Sequence, residues 1–264
     1  MNSTKITNVI GIIPAAGKAT RLQPIPCSKE VLRVVFPKSS NHHAQPEPVC
    51  TFLLNKLADA GIDSAFVILG KNKWDIPELL TDGKKHRISL AYLLLHNSRG
   101  TAFTINQAFP YVKNSLVALG FPDILFEGPD GFSGLIKKQH STHADIVLGI
   151  FPSDNPSKVD MVEINSDRVI RTEIKPKQTN LKFTWGIAVW TPRFSRFLNE
   201  YIADLLCTKN HGSTKNNNSF NRDIHIGEVI QAAIEQGMHV SFYQVSNTPF
   251  IDIGTPEDLS RVTS

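Results

Sequence analysis

The first part of the chain alternates between short apolar runs and amphipathic segments. Apolar runs rich in β-branched residues predict buried strands at 9–14, 64–70, 88–96, 115–121 and 145–151. Apolar residues at helical spacing predict helices between them at 49–62, 100–112 and 130–144. Because strand–helix–strand units place successive strands in parallel, we expect a mainly parallel sheet with helices on both faces.

The second part of the chain has a different pattern. Residues 161–174 alternate between apolar and polar side chains around Asn165–Asp167, which predicts a β-hairpin. Further strands are predicted at 183–191 and 239–245, and helices at 194–206, 226–237 and within 250–262. Two polar stretches predict an exposed insertion at 37–48 and a mobile, Asn-rich surface loop at 207–223.

Composition narrows the class of protein. The net charge of +4 comes without long runs of like charge, so it does not by itself indicate nucleic-acid binding. A small anionic substrate suits this charge equally well. The three cysteines are widely spaced, which suits neither a zinc site nor a disulfide framework and favours a reducing compartment. The sequence also lacks a signal-peptide pattern and a membrane-spanning apolar run, so we expect a cytoplasmic protein with no membrane or nucleic-acid partner.

The first predicted strand ends in small residues that are followed by three cations. It runs into Pro14–Gly17, and the basic residues are Lys18, Arg21 and Lys29. The stretch fits neither the Walker loop, since Ala19 follows Lys18, nor the dinucleotide fingerprint. A small-residue turn still lets backbone N–H groups approach a phosphate, and Arg and Lys can bind one. The residues alone are equally compatible with a tight βα turn that carries solvated cations.

Six motifs in order resemble those of the sugar-phosphate nucleotidylyltransferases. The first is PAAGKATRLQPIPCSKEVLRV, whose SKEVL form is most similar to the glucose-1-phosphate thymidylyltransferase branch. The others are RGTAFTINQA at 99–108, LGFPDILF at 119–126, EIKPK at 173–177, FTWGIAVW at 183–190 and FIDIGTPEDL at 250–259. The resemblance covers roughly 8–262. It implies a single α/β domain over 1–264 with a Rossmann-like, mixed and mostly parallel sheet flanked by helices, of the nucleotide-diphospho-sugar transferase type. A nucleotide-binding half over 1–150 and an acceptor-binding half over 151–264 are expected within it.

The resemblance also implies a reaction, in which a nucleoside triphosphate (dTTP or UTP) and a sugar 1-phosphate give a nucleotide sugar and pyrophosphate. Arg21 and Lys29 would bind the triphosphate, and Lys175 the acceptor phosphate. Asp123 and Asp252 would bind Mg²⁺, although each alone would be interpreted as a turn or helix cap. Homo-oligomers are frequent in such a family, but no feature of the sequence locates an interface.

The remaining site residues are assigned from the same motifs. The residues expected to contact the nucleotide are Ala15, Ala16, Gly17, Lys18, Thr20, Gly100 and Thr101. The residues expected to contact the acceptor are Asp160, Glu173, Trp185 and Gly186, with core packing as the alternative for Trp185.

Three positions depart from the family pattern. Ala19 replaces a glycine of the loop, Asp160 stands where relatives carry a sugar-contacting glycine, and Ile174 stands where they carry a sugar-binding Glu. Two of these departures concern the acceptor, so its identity stays open. The alternatives are a non-sugar phosphate or phosphonate acceptor, such as a choline or aminoethyl headgroup, and a catalytically silent nucleotide-binding subunit.

The histidines offer a weaker signal. His140 and His143 are spaced to share a helix face and could ligate zinc, but no third ligand is near them in sequence, which favours a solvated face. His42 and His43 fall in the predicted insertion, and we expect no catalytic role for them.

Overall fold

The computed structural model describes residues 8–35, 45–128, 130–207 and 223–263. Most of the predicted insertion, with His42 and His43, and all but the ends of the predicted Asn-rich loop lie outside the described residues.

Strands and helices alternate along the described chain. The strands are β1 (Val9–Ala15), β2 (Arg33–Val34), β3 (Glu47–Pro48), β4 (Ser64–Leu69), β5 (Ser89–Leu94), β6 (Leu116–Gly120), β7 (Ile124–Leu125), β8 (Ile146–Pro152), β9 (Met161–Asn165), β10 (Arg168–Glu173), β11 (Phe183–Trp190), β12 (Val240–Gln244) and β13 (Ile251–Asp252). The helices are α1 (Val49–Asp59), α2 (Asp75–Leu80), α3 (Thr101–Asn106), α4 (Phe109–Val112), α5 (Gly131–Thr142), α6 (Pro192–Cys207), α7 (Ile226–Glu235) and α8 (Pro256–Thr263).

Nine strands form one mixed sheet in the order β5-β4-β1-β6-β11-β8-β12-β10-β9. The strands β5, β4, β1 and β6 are parallel to one another, as are β8 and β12. The strand β11 lies between β6 and β8 and is antiparallel to both. The predicted mixed α/β fold is therefore confirmed. The expected parallel pairing holds within β5-β4-β1-β6 and between β8 and β12, but the pairings of β11, β10 and β9 are antiparallel.

Both faces of the sheet are covered by helices. Neighbouring residues of a strand point to opposite faces, and since the residues on both faces are apolar, each face needs a covering layer. Ile12 packs in one apolar cluster with residues of α3, α6 and α7. Ile13 packs in a second cluster with residues of α1, α2 and α5. Within the described chain, no helix is long and apolar enough to cross a bilayer.

The segment 100–112 differs from its prediction as one helix. It forms the two short helices α3 and α4, and Pro110 lies in the first turn of α4. Proline has no amide hydrogen and its ring clashes with the preceding turn, so a continuous helix could not pass through it. Proline is tolerated in a first helical turn, so the chain breaks before α4 and starts again.

Candidate active site

Four adjoining cavities lie at the edge of the sheet where β1, β4, β5, β6 and β8 have their carboxyl ends, and open α/β sheets commonly bind ligands there. The loop cavity, about 640 Å³, is lined by residues that include Ala16–Ala19, Lys71–Asp75 and Leu95–Ser98. The central cavity, about 470 Å³, is lined by residues that include Ala16–Lys18, Lys29, Gly100, Thr101, Asp123 and His225. The inner cavity, about 180 Å³, includes Asp123, Asp160, Lys175, Trp185, His225 and Asp252 in its wall. The outer cavity, about 390 Å³, includes Arg21, Lys158, Phe250, Asp252 and Asp258.

Residues of the loop after β1 form part of the wall between the loop and central cavities. Ala16, Gly17 and Lys18 line both cavities, and Thr20 lines the central one. Ala15, by contrast, is buried in β1 at 1% exposure. Ala19 has a left-handed backbone, with φ of 49°. A residue with a Cβ pays about 1–2 kcal/mol there, and the glycine expected from the family would avoid that cost.

The Gly100–Thr101 turn holds the start of α7. Gly100 has φ of 94°, and a Cβ on it would collide with the backbone of Ile224. The Thr101 hydroxyl accepts a hydrogen bond from the backbone N–H of Ile226 at 2.9 Å, and the N–H of Ala102 donates to the Ile224 carbonyl at 3.0 Å. These contacts place His225 in the walls of the central and inner cavities.

Asp123 and Asp252 are brought together by the two-stranded sheet of β7 and β13. Ile124 pairs with Asp252 in that sheet, and the N–H of Ile253 donates to the Asp123 carbonyl at 2.9 Å. The ammonium of Lys29 forms an ion pair with the Asp123 carboxylate. The predicted metal ligands and one predicted catalytic lysine are therefore neighbours in space.

Among Lys29, Asp123 and Asp252, two side chains can carry negative charge and one carries positive charge. Burial and the neighbouring Asp123 carboxylate raise the pKa of Asp252 to about 6, although Lys29 and Arg21 oppose the shift. Burial alone would lower the pKa of Lys29, but Asp123 and Asp252 outweigh it and raise that pKa above its usual value. The Oδ1 atom of Asp252 is buried without a hydrogen-bond partner.

A hard divalent cation fits this arrangement, because it would relieve the repulsion between the two carboxylates and use the unpartnered oxygen. Among the described residues, no group of three or more His, Cys, Asp or Glu side chains could hold a metal. The protein would thus supply two carboxylate ligands, and phosphate or water oxygens the rest, which is common for Mg²⁺. His140 and His143 are exposed on and just after α5, outside any such group.

Arg21 lies on the outer side of the same carboxylates. A Cβ built on Gly254 would lie 3.0 Å from Arg21 Nη2 and 3.4 Å from Asp252 Oδ1. The bare Cα of Gly254 therefore lets the guanidinium and the carboxylate pack against the same turn.

The turn that carries Lys29 is fixed by a second set of charged side chains, which the sequence did not reveal. The carboxylate of Asp75 accepts hydrogen bonds from the backbone N–H and the hydroxyl of Ser28, both at 2.6 Å. Glu30 forms an ion pair of 2.6 Å with Lys73, and these side chains are only 2% and 8% exposed. The partners come from the loop after β4 and the start of α2, so they anchor the residues on both sides of Lys29.

The predicted acceptor residues divide into two groups. Asp160 and Trp185 line the inner cavity together with Lys175, whose φ is 42°. Glu173 instead pairs with Arg171 and accepts a hydrogen bond from Thr179, each at 2.9 Å, and lines none of the four cavities. Gly186 also lines none of them and lies behind the ring of Phe250, 3.1 Å from where its Cβ would be.

Three further residues line these cavities but were not among the site residues predicted from the sequence. Lys158 and Phe250 line both the inner and outer cavities, and His225 precedes α7. The only sequence signal is position, since Lys158 lies two residues before Asp160 and Phe250 two before Asp252.

Comparison with known proteins supports the family that the motifs predicted. The family model described as "Nucleotidyl transferase" matches residues 10–264. The glucose-1-phosphate thymidylyltransferase of Mycolicibacterium smegmatis is 31% identical over 173 residues, which is 63% of this chain and 55% of the relative. The low-salt glycan biosynthesis nucleotidyltransferase Agl11 of Haloferax volcanii is 22% identical over 255 residues, or 94% of this chain and 63% of the relative. The chain thus spans between about half and just under two thirds of these relatives.

Solved structures share the fold over nearly the whole chain. The inositol-1-phosphate CTP transferase from T. maritima superposes with a TM-score of 0.71 at 20% identity, covering 95% of this chain and 91% of the other. A UDP-glucose pyrophosphorylase complexed with UDP-glucose gives a TM-score of 0.73 at 16% identity and covers 96% of each chain. With a family model that spans almost all of its length, the chain belongs to the nucleotidyl transferase family.

Proposed function

We propose that this protein is a Mg²⁺-dependent nucleotidylyltransferase that joins a nucleoside triphosphate to a sugar 1-phosphate. The observation that carries the proposal is the position of Lys29, Asp123 and Asp252 among the central, inner and outer cavities. A donor in the central cavity and an acceptor in the inner cavity would meet at the two carboxylates. A relative named for thymidylyl transfer and a structural neighbour named for UDP-glucose support dTTP or UTP as the donor.

The reaction requires alignment more than proton transfer. A phosphate oxygen of the acceptor attacks the α-phosphorus of the donor and forms a new P–O bond. The bond from that phosphorus to the pyrophosphate oxygen breaks, and its electron pair leaves with pyrophosphate. Because the acceptor phosphate is already ionised near neutral pH, no general base is required. Rate enhancement then comes from positioning and from neutralising the negative charge.

The lining residues divide this work. Backbone N–H groups of the loop after β1 approach the triphosphate, and Lys29 and Arg21 neutralise its charge. Lys175 and Lys158 hold the acceptor phosphate from the inner cavity. Asp123 and Asp252 would hold Mg²⁺, which when bound supplies positive charge at the phosphate oxygens.

The proposal assigns the enzyme to the cytoplasm, because all three of its cysteines are free thiols, as in a reducing compartment. Its substrates would be a nucleoside triphosphate and a sugar 1-phosphate, with neither nucleic acid nor membrane as a partner.

Pyrophosphate release tests the proposal directly. The protein is incubated with each of ATP, GTP, CTP, UTP and dTTP against a panel of sugar 1-phosphates, with Mg²⁺ or with a chelator. We expect release with dTTP or UTP and a sugar 1-phosphate, and its loss on chelation. A folded protein that binds nucleotide but releases no pyrophosphate with any pair would contradict the proposal and favour a silent binding subunit.

A further inference from the structure

A donor in the central cavity and an acceptor in the inner cavity would meet where these two cavities join. Among the described residues, four line both cavities: Thr101, Phe121, Asp123 and His225. Phe121 is apolar, Asp123 is an anion, and the hydroxyl oxygen of Thr101 accepts from the backbone N–H of Ile226. His225 is therefore the residue of the four whose side chain has an N–H, and an imidazole keeps at least one N–H in either charge state.

The cations predicted from the sequence lie to one side of this junction or the other. Lys18 and Lys29 line the central cavity and not the inner one, while Lys175 lines the inner cavity and not the central one. Arg21 lines the outer cavity alone among the four. A phosphorus atom attacked at the junction would thus have lysines on both sides and the imidazole of His225 between them.

The backbone around His225 is fixed before and after this residue. Before it, the N–H of Ile224 donates to the Arg99 carbonyl at 2.9 Å, and Gly100 packs directly against Ile224. After it, the N–H of His225 donates to the Glu228 carboxylate, and the N–H of Glu228 donates to the His225 carbonyl, both at 3.1 Å. A donor held in this way needs little reorganisation when a substrate reacts beside it.

The imidazole of His225 lies beside the inner cavity. Burial raises the pKa of Asp160, which lines that cavity, while Lys175 and His225 oppose the shift. A charged group opposes such a shift only when it lies near the carboxylate. The ring is therefore close to the cavity wall that Asp160 forms.

We infer that His225 is a further catalytic residue, which donates a hydrogen bond to a non-bridging oxygen of the donor's α-phosphate while the acceptor attacks. This inference rests on the proposed nucleotidylyl transfer. Negative charge is spread over the non-bridging oxygens of a phosphoryl group in its transition state, and a fixed N–H directed at one of them lowers the barrier. The imidazole transfers no proton, since the acceptor phosphate is already ionised.

Steady-state kinetics with the donor and acceptor found in the pyrophosphate assay test this role. His225→Ala should lower kcat by about a hundred- to a thousandfold, as the loss of one such donor does. The KM for either substrate should stay near the wild-type value, because the contact forms in the transition state. A kcat within about twofold of the wild type, or a raised KM with unchanged kcat, would overturn the inference.

Two conservative variants test the N–H itself. His225→Asn and His225→Gln each carry an amide N–H, near the position of one or the other ring nitrogen. One of them should turn over faster than His225→Ala, and the faster one identifies the nitrogen that donates. If both are as slow as His225→Ala, the assignment of a hydrogen bond is overturned.

Sulfur substitution tests whether the contact is with the α-phosphate. Each α-thio diastereomer of the donor replaces one non-bridging oxygen by sulfur, which is a weaker hydrogen-bond acceptor. One diastereomer should slow the wild type more than it slows His225→Ala. If each diastereomer slows the two proteins equally, the contact with the α-phosphate is overturned.

A matched control and the wild type separate the possible outcomes. His239 is also half-buried but lines none of the four cavities, so His239→Ala should keep the wild-type kcat, and circular dichroism should show an intact fold in each variant. If the wild type and His225→Ala release pyrophosphate equally fast, the inference alone fails. If the wild type releases none with any pair, the proposed function fails, and the role of His225 in that reaction fails with it.

Discussion

Two groups of charged side chains meet at one short turn and differ in how completely they are paired. The support cluster, defined as Ser28, Glu30, Lys73 and Asp75, is closed: Glu30 pairs with Lys73, and both oxygens of Asp75 accept from Ser28. The reaction cluster, defined as Lys29, Asp123 and Asp252, is open, because the ion pair of Lys29 is with Asp123 and the buried Asp252 Oδ1 has no hydrogen-bond partner.

The difference separates stability from chemistry. Buried polar groups whose hydrogen bonds are all satisfied fix a local geometry. Buried polar groups without partners destabilise the protein until a ligand binds them. Consecutive residues of the chain, Lys29 and Glu30, belong to different clusters. The support cluster therefore holds in place the turn that carries Lys29, the positively charged residue of the reaction cluster.

The largest expected effect is on turnover when the reaction cluster is altered. Asp123→Asn and Asp252→Asn should each reduce Mg²⁺-dependent pyrophosphate release at least about a hundredfold, because each removes a charge that the cation needs. Circular dichroism should show an intact fold. Asp145→Asn alters a buried carboxylate that lines none of the four cavities, so it is the control and should keep the normal rate. Near-normal rates in both variants would contradict the metal assignment.

Altering the support cluster should instead unfold the protein more easily. Lys73→Met leaves the buried Glu30 carboxylate unpaired and should lower the free energy of unfolding by about 3–5 kcal/mol. Urea denaturation near neutral pH measures it. Lys71→Met, at an exposed position two residues earlier, is the matched control and should change stability by less than about 0.5 kcal/mol. Equal effects of the two variants would show that the cluster does not stabilise the fold.

The stability that Asp252→Asn gains over the wild type should depend on pH in a direction that follows from the pKa of Asp252. Asp252 has a pKa of about 6 in the folded protein and an ordinary value of 3.8. The folded state therefore binds this proton more tightly, so stability falls as pH rises from about 4 to about 6. The variant removes that cost and should gain about 3 kcal/mol above this window.

Thermal melts of Asp252→Asn and wild type at about pH 4 and about pH 7.5 check this prediction. The gain should be present at the higher pH and absent at the lower one. A difference that does not change with pH would contradict it. At limiting Mg²⁺, wild-type turnover should also decline as pH falls through about 6, since protonated Asp252 in the metal-free protein attracts the cation less.

The smallest expected effect is at an exposed ion pair. Arg87 and Asp59 are 2.6 Å apart, with side chains 65% and 55% exposed. Water already solvates both charges, so Arg87→Gln should change the free energy of unfolding by less than about 1 kcal/mol in urea denaturation. A loss as large as that of Lys73→Met would show that burial does not distinguish these pairs.

Much of the fold could be predicted because its main strands and helices carry their own periodicity. The runs at 9–14, 64–70 and 115–121 each match a strand to within a residue at either end. The place of β11 between β6 and β8 could not be predicted, because a local pattern specifies a strand and not its neighbours. The buried residues along β11 suit a central position, but the same pattern would suit several others.

The site was less predictable than the fold. The strands β7 and β13 have two residues each, too few for any periodicity, yet their pairing unites Asp123 with Asp252. Only the family motifs suggested a common role for these two residues. The anchoring of Lys29 by Lys73 and Asp75 left no signal, because contacts across some 45 positions depend on tertiary packing.

The late position of β13 has a consequence for how the protein is made. A growing chain that has reached Gln244 already contains every strand of the nine-stranded sheet, but it has only one of the two carboxylates. Pairing of β13 with β7 joins residues far apart in sequence, and such contacts form slowly because a long loop must close first. A nascent chain would therefore acquire its architecture before its reaction centre, and a partly synthesised molecule could fold without being able to consume nucleotide.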